Sequence, residues 1–170
     1  MAFHLNAQVF WKYDSQLGAY TRWQNSGPDT PLVEFSDRLN QQPLAFQNVV
    51  VLFTQYHRYT ETYFNIDLKY VYKWPALLFR DGRVYKIYWT TRSESYEKST
   101  GKTRQPRFID AAGQPVALKP GQTWVELAQL GNPAYETVDS EDYRHLKDGL
   151  SPGSGVWAVF FIPPEFQPLK

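Results

Sequence analysis

The side chains able to do acid–base, nucleophilic or metal chemistry in this chain are few and scattered. His4, His57 and His145 fall in three separate stretches, and none stands in the H-E-x-x-H arrangement that sets two imidazoles on one side of a helix. With no cysteine, thiolate metal sites and disulfides are excluded, and no metal or other cofactor is expected. Gly149-Leu150-Ser151-Pro152-Gly153 matches the G-x-S-x-G nucleophile elbow by letter. In that elbow the residue after the serine donates its backbone N–H to the oxyanion, and Pro152 has none to give, so the segment reads as a turn. Glu34 with Asp37, and Glu141 with Asp142, have the chemistry of glycosidase carboxylates. Such pairs are defined by their separation across a cleft, and along the chain these four read as solvated surface. The glycines are scattered turn residues with no phosphate-cradling run. No catalytic residue is assigned.

Binding chemistry is better represented. "QYHRYTETYF", Gln55 to Phe64, interleaves Tyr56, Tyr59, Tyr63 and Phe64 with His57, Arg58 and Glu61. Flat apolar faces with hydrogen-bonding tips suit a polysaccharide or a protein partner, and the competing reading is aromatic packing at the end of a strand. Arg80 and Arg83 flank Asp81-Gly82, and like charges across a turn must be solvated or bridged by an anion. Thr90 to Arg107 has an excess of basic residues and no apolar periodicity, so a long mobile loop is expected there, solvated or touching anionic wall polymer or lipid headgroups. The candidate ligand or partner surface is Tyr56, His57, Arg58, Tyr59, Tyr63, Arg80, Arg83, Lys98, Lys102 and Arg104.

These residues hang on strands. In "ALLFRDGRVYKIYW", Ala76 to Trp89, the Asp81-Gly82 pair is a strong type I′ hairpin signal, because both central residues of that turn need positive φ. Folding there sets Leu78 against Tyr85, Ala76 against Ile87 and Trp74 against Trp89 on one face, with Phe79 against Val84 and Leu77 against Lys86 on the other. Both faces are apolar, so something must cover the second one: more of this chain, another domain or a ligand. "NVVVLFTQYHRY" is apolar enough for the centre of a sheet. Asn6 to Gln24 reads as a first hairpin with Gly18 closing its turn, and Ile66 to Tyr72 alternates as a strand. "RFIDAAGQPVALKPGQTWVEL" reads as three short strands with turns at Ala112-Gly113 and Pro120-Gly121, and Val156 to Ile162 as a last strand stopped by Pro163-Pro164. One helix is expected near residues 139–148, capped by Asp139 or Ser140, with Glu141 and Asp142 in its first turn, Lys147 in its last and Gly149 beyond.

The predicted fold is all-β: a mainly antiparallel sandwich or open barrel of nine or ten short strands with one short helix. The 170 residues fit a single domain that buries roughly 70% of its unfolded surface. Aromatic residues make up 17% of the chain, which suits pleated, half-buried surfaces. A balance of 18 Lys+Arg against 17 Asp+Glu gives +1, so no global field points to nucleic acid. No run reaches the roughly 20 apolar residues of a membrane span, and no secretory leader precedes the first strand. The abrupt Met-Ala start suits a domain cut from a longer protein.

The string "WKYD…GAYTRW…DRLNQQPLAFQNVVVLF…WPALLFRDGRVYKIYW…RFIDAAGQPVALKPGQTWVEL", from Trp11 to Leu127, resembles the C-terminal domain of the YerB-like bacterial lipoproteins, a family catalogued as a domain of unknown function. Asn48 to Phe53, Ala76 to Val84 and the segment ending at Leu127 carry the resemblance best; the last forty or so residues match it less well. The resemblance implies an exported, extracytoplasmic protein held at the membrane by a lipidated N-terminus, with a further N-terminal domain. It implies no activity and no catalytic residues. Family members often carry histidine two positions before the aspartate matching Asp37, and Phe35 stands there, which weakens any metal or proton role for that pair. The reading is a non-enzymatic binding or interaction domain of a cell-envelope protein, with cell-wall polymer, an envelope protein or its own N-terminal domain as partner. The rivals are an envelope hydrolase whose site is shared with the N-terminal domain, using Asp37 or Glu61 from this chain, and a structural scaffold.

Overall fold

The computed structural model describes residues 2–4, 7–27, 30–69, 71–137, 155–160 and 162–165. The chain opens with β1 (Ala2–His4), β2 (Ala7–Asp14), β3 (Ala19–Gln24), β4 (Val33–Glu34) and β5 (Ala45–Phe46), which make a five-stranded sheet. The expected first hairpin is β2–β3, paired from Val9↔Gln24 to Asp14↔Ala19. Its turn is set locally, because Asp14 Oδ1 accepts the N–H groups of Gln16 and Leu17 at 2.8 and 3.0 Å.

The main sheet has six strands: β6 (Asn48–Arg58), β7 (Phe64–Asp67), β8 (Trp74–Arg80), β9 (Arg83–Thr90), β10 (Arg107–Ile109) and β11 (Thr123–Gln129). β6 is central, flanked by β8 and β11 with β7 on its outer half, as its β-branched run requires. The β8–β9 register is the one the turn dictates, from Trp74↔Trp89 through Leu78↔Tyr85 to Arg80↔Arg83. Asp81 and Gly82 take φ of 52° and 68°, the left-handed pair of a type I′ turn. β12 (Ala134–Thr137) and β13 (Val156–Val159) form a separate antiparallel ribbon.

Several expectations are corrected. The described residues hold thirteen strands, more than nine or ten, because two-residue pieces such as β4 and β5 pair with β3. The sheets are antiparallel except that β11 runs parallel to β6, Thr123↔Asn48 to Gln129↔Thr54. The segment expected to hold three short strands forms two, β10 and β11; the chain between them makes only an isolated bridge, Pro115 to Ile109 at the end of β10. The strand expected at Ile66 to Tyr72 is instead Phe64–Asp67, because Asp67 Oδ1 accepts the Lys69 N–H at 2.8 Å and turns the chain away. Within the expected loop 90–107 lies a helix, α1 (Glu94–Thr100). It buries none of its residues, so it leaves no apolar period to read; acids at Glu94 and Glu97, Lys98 in the last turn and a left-handed Gly101 define it. The helix expected at 139–148 and the Gly149–Gly153 turn lie outside the described residues.

Side-chain alternation explains the core. One face of the main sheet carries Val50, Leu52, Ala76, Leu78, Ile87 and Trp89, sealed by Val71 and by partly buried Phe108, Val116 and Leu118. Trp89 is fully buried and its Nε1 donates to the Phe53 carbonyl at 3.0 Å. The second face, with Val51, Phe53, Leu77, Phe79, Val84 and Ala128, packs against Ala134, Trp157 and Val159 of the ribbon. The same chain covers both faces of the hairpin.

Candidate functional site

The cover on the second face is incomplete. Where β2–β3, the Asp81-Gly82 turn and the β12–β13 ribbon meet, they enclose a cavity of about 550 Å³. Trp11, Tyr13, Tyr20, Val49, Phe79, Val84, Trp157 and Val159 line it, together with Glu136 and backbone near Gly82. That volume lies within the roughly 300–1,000 Å³ of small-molecule sites.

Local structure places each wall. Trp11 and Tyr13 alternate on β2 and pair with Arg22 and Tyr20 on β3, so all four share one side of the first sheet. That side faces the main sheet: the Trp11 and Trp124 rings are 5.5 Å apart, and Tyr13 lies so close to the main turn that a Cβ on Gly82 would come within 2.9 Å of its ring. Lys119 fastens the two turns together, donating to Gly18 O at 2.9 Å and to Asp81 Oδ1 at 2.6 Å, and this bond to Asp81 pushes the ammonium pKa up. Tyr20 is buried; its hydroxyl makes no hydrogen bond of good geometry and approaches the Gly82 backbone. Burial pushes its pKa up to about 12, so it stays protonated. Glu136 Oε1 accepts the Gly155 N–H at 2.7 Å, which ties the two strands of the ribbon.

Beside the cavity lies a buried charged cluster. The Arg22 guanidinium sits 4.8 Å from the Phe35 ring centre, 5.0 Å from Trp124 and 5.9 Å from Trp11, and donates to Gln24 Oε1 at 2.7 Å. Burial lowers its pKa, which Glu126 opposes. Burial raises the Glu126 carboxyl, opposed by the Trp124 indole, the Arg22 charge and the Trp11 indole in that order. The indole N–H groups approach Glu126 without completing hydrogen bonds, and Glu126 Oε1 makes none. The Phe35 ring thus covers a guanidinium.

The sequence-derived candidates separate into two groups. Arg80 and Arg83 lie at the main turn, beside Asn48 at the start of β6; His57 and Arg58 end the same strand, about 33 Å away at extended spacing. Arg80 is engaged by the Ala117 carbonyl, Asp81 at 3.8 Å and the Tyr85 ring at 4.8 Å, while Arg83 is exposed. Tyr56, expected on the surface, is buried: β6 alternation turns its ring inward, against Phe64 at 6.5 Å. Tyr59 stacks on Tyr63 at 5.6 Å and on His57 at 6.5 Å, with Tyr63 exposed; Arg58 packs over Phe64 at 5.8 Å. Lys98 and Lys102 are exposed on and after α1, whereas Arg104 donates to the Arg92 carbonyl at 3.0 Å. Asp37 Oδ1 accepts the N–H groups of Leu39 and Asn40 at 2.7 and 3.2 Å, and Glu61 is exposed between β6 and β7. Of the predicted site residues Arg83 alone borders the cavity, and the aromatic walls were not singled out in the sequence; the doubly apolar hairpin was the signal that its second face had a special cover.

The molecule is thus an all-β domain with one short helix, its sheets meeting around an aromatic cavity. The chain belongs to the family described as protein of unknown function (DUF3048), C-terminal domain, whose model matches residues 1–125. Among solved structures it is similar to the YerB protein from Bacillus subtilis, with 24% identity and a TM-score of 0.54 over 71% of this chain. It spans 35% of that chain, and the likeness bears on the fold. No curated protein matches. The ribbon lies beyond the matched residues, so the cavity joins family-matched walls to one outside the match.

Proposed function

We propose that the chain is a non-enzymatic binding domain of an exported, lipid-anchored bacterial cell-envelope protein, whose ligand enters the cavity between the three sheets. The observation that carries the binding reading is that cavity: aromatic walls contributed by separate sheets, with a buried phenol and a carboxylate among them. The Tyr59–Tyr63 stack offers a flatter second surface for wall polymer or an envelope protein. The envelope location rests on the resemblance to the YerB-like lipoproteins, and a preceding domain of the same protein is a further partner under this proposal.

A thermal-shift screen of the purified domain against soluble wall fragments and small envelope solutes tests it. A ligand that binds only the folded state at a hundred times its Kd adds about 2.7 kcal/mol of stability. The expected result is a class of compounds that raises Tm in the parent and not in Phe79→Ala. No stabilising compound, or a shift indifferent to that substitution, removes the cavity from the proposal. Fractionation of the full-length protein into the cytosol removes the envelope location.

A further inference from the structure

The hairpin made by the outer end of β6 and by β7 has two unlike faces. Its register, from Gln55↔Asp67 to Arg58↔Phe64, sets Tyr56, Arg58, Phe64 and Ile66 on one side and Gln55, His57, Asn65 and Asp67 on the other. The first side turns inward through buried Tyr56, with the Phe64 ring against it and Arg58 over Phe64. The second turns outward, where Gln55 and Asn65 are exposed. Alternation carries this outer side on to Tyr59 and Tyr63, whose backbones continue the ladder: the Tyr59 N–H donates to the Tyr63 carbonyl at 3.0 Å. Three rings thus stand in a row with nearly parallel planes, 16° between His57 and Tyr59 and 28° between Tyr59 and Tyr63, and Tyr63 at the end is 57% exposed. The tip is held by its own bonds. Thr60 Oγ1 accepts the N–H groups of Thr62 and Tyr63 at 3.3 and 2.9 Å, and Arg58 Nε donates to the Thr60 carbonyl at 3.2 Å. Rings fixed in advance lose less freedom when a ligand arrives.

What such a face recognises follows from what it has and what it lacks. Nucleic acid and anionic wall polymers need Lys or Arg to meet their phosphates. The outer side of the hairpin has neither: Arg58 lies on the inner side over Phe64, Lys69 follows the turn made by Asp67, and Asp67 itself adds a carboxylate. A lipid surface takes up aliphatic side chains, and the core of a protein interface is apolar and depleted of charge, whereas this side has no aliphatic residue. It has phenol rings, whose faces suit the C–H faces of pyranose sugars, beside the exposed amides of Gln55 and Asn65, which both donate to and accept from hydroxyl groups. We infer that the outer face of the β6–β7 hairpin binds an uncharged polysaccharide strand, with sugar rings on Tyr59 and Tyr63 and hydroxyl or acetamido groups on Asn65 and Gln55. This rests on the reading of the domain as a binding module and names the partner of its second surface; the cavity takes no part in it.

The test is calorimetric titration of the full chain with two uncharged oligosaccharides, chitohexaose and cellohexaose, and with polyglycerol phosphate as the anionic comparison. At least one oligosaccharide is expected to bind and the anionic polymer to bind more weakly or not at all. A preference for chitohexaose assigns the amides to acetamido groups, and equal binding assigns them to hydroxyls. Tyr63→Ala is expected to weaken the oligosaccharide about tenfold, Tyr63→Phe to keep most of the affinity because the ring face remains, and Asn65→Ala to weaken it several-fold. Urea midpoints near the parent's show that each variant is folded. Failure of both oligosaccharides to bind, binding indifferent to Tyr63→Ala, or tighter binding of the anionic polymer overturns the inference. If the oligosaccharides fail while another compound gives a Phe79-dependent thermal shift, the partner named for this face is wrong and the binding module stands; if both fail, both fall.

Discussion

Leu78 and Phe79 are neighbours in β8, point to opposite sides of the main sheet and meet opposite surroundings. Leu78 is fully buried in a cluster closed by Trp89, Val50 and the 108–118 segment. Phe79 is half-buried at the edge of a 550 Å³ cavity, under a roof assembled from β2–β3 and the C-terminal ribbon. The sealed side is covered largely by chain that returns soon after β9, so its packing follows from short connections. The open side is covered by the two ends of the described chain, and sheets arriving from different directions leave space where they meet. Stability is concentrated on one face, and room for a ligand on the other.

Substitutions can break that contrast. Trp89→Ala is expected to cost about 3–5 kcal/mol, as a fully buried ring with its indole hydrogen bond is lost, measured by urea unfolding. Adjacent truncations sharpen it: Leu78→Ala should cost about 2–5 kcal/mol, whereas Phe79→Ala, which enlarges existing space, should cost about 1–2 kcal/mol. Equal costs would mean the second face is packed as tightly as the first. Gly82→Ala should cost about 1–2 kcal/mol from positive φ alone, plus its collision with Tyr13; in a double-mutant cycle Tyr13→Ala should recover the collision and leave the backbone part.

A smaller effect depends on pH. The folded carboxyl of Glu126 titrates above its ordinary value of 4.5 because of burial. As pH rises from there through the folded value, the unfolded chain has already lost its proton while the folded chain still holds one, so this group lowers stability across that window. Relative to the parent, Glu126→Gln should therefore gain stability as pH rises through the window, read from urea midpoints. The opposite slope would show that Arg22 and the two indoles outweigh burial. The smallest change is Tyr63→Ala, within about 0.5 kcal/mol, because its ring is exposed; a larger loss would make the Tyr59–Tyr63 stack a packing element.

What the sequence made legible was local. Asp81-Gly82 dictated a turn and, through it, every cross-strand pair from Arg80↔Arg83 to Trp74↔Trp89. The apolar run at Val49 to Phe53 announced a central strand. The α1 helix escaped because none of its residues is buried and a solvated turn needs no pattern. Tyr56 was misplaced because composition cannot tell which side of β6 a ring takes. The cavity was illegible for a deeper reason: Tyr13, Phe79 and Trp157 become neighbours only when three sheets dock, and no short-range rule encodes that distance. What could be read was its symptom, a hairpin with no polar face.

The parallel seam between β6 and β11 has a consequence for biosynthesis. Asn48 to Thr54 emerges from the ribosome long before its partner Thr123 to Gln129, so one edge of a β-branched strand stays unpaired while much of the domain is translated. Completion must wait for a late, distant segment, which slows folding and leaves "VVVLF" as the stretch on which nascent chains would cross-pair. A ribosome stalled shortly before Thr123 should therefore carry a chain that chaperones hold, and one released well past Gln129 should not.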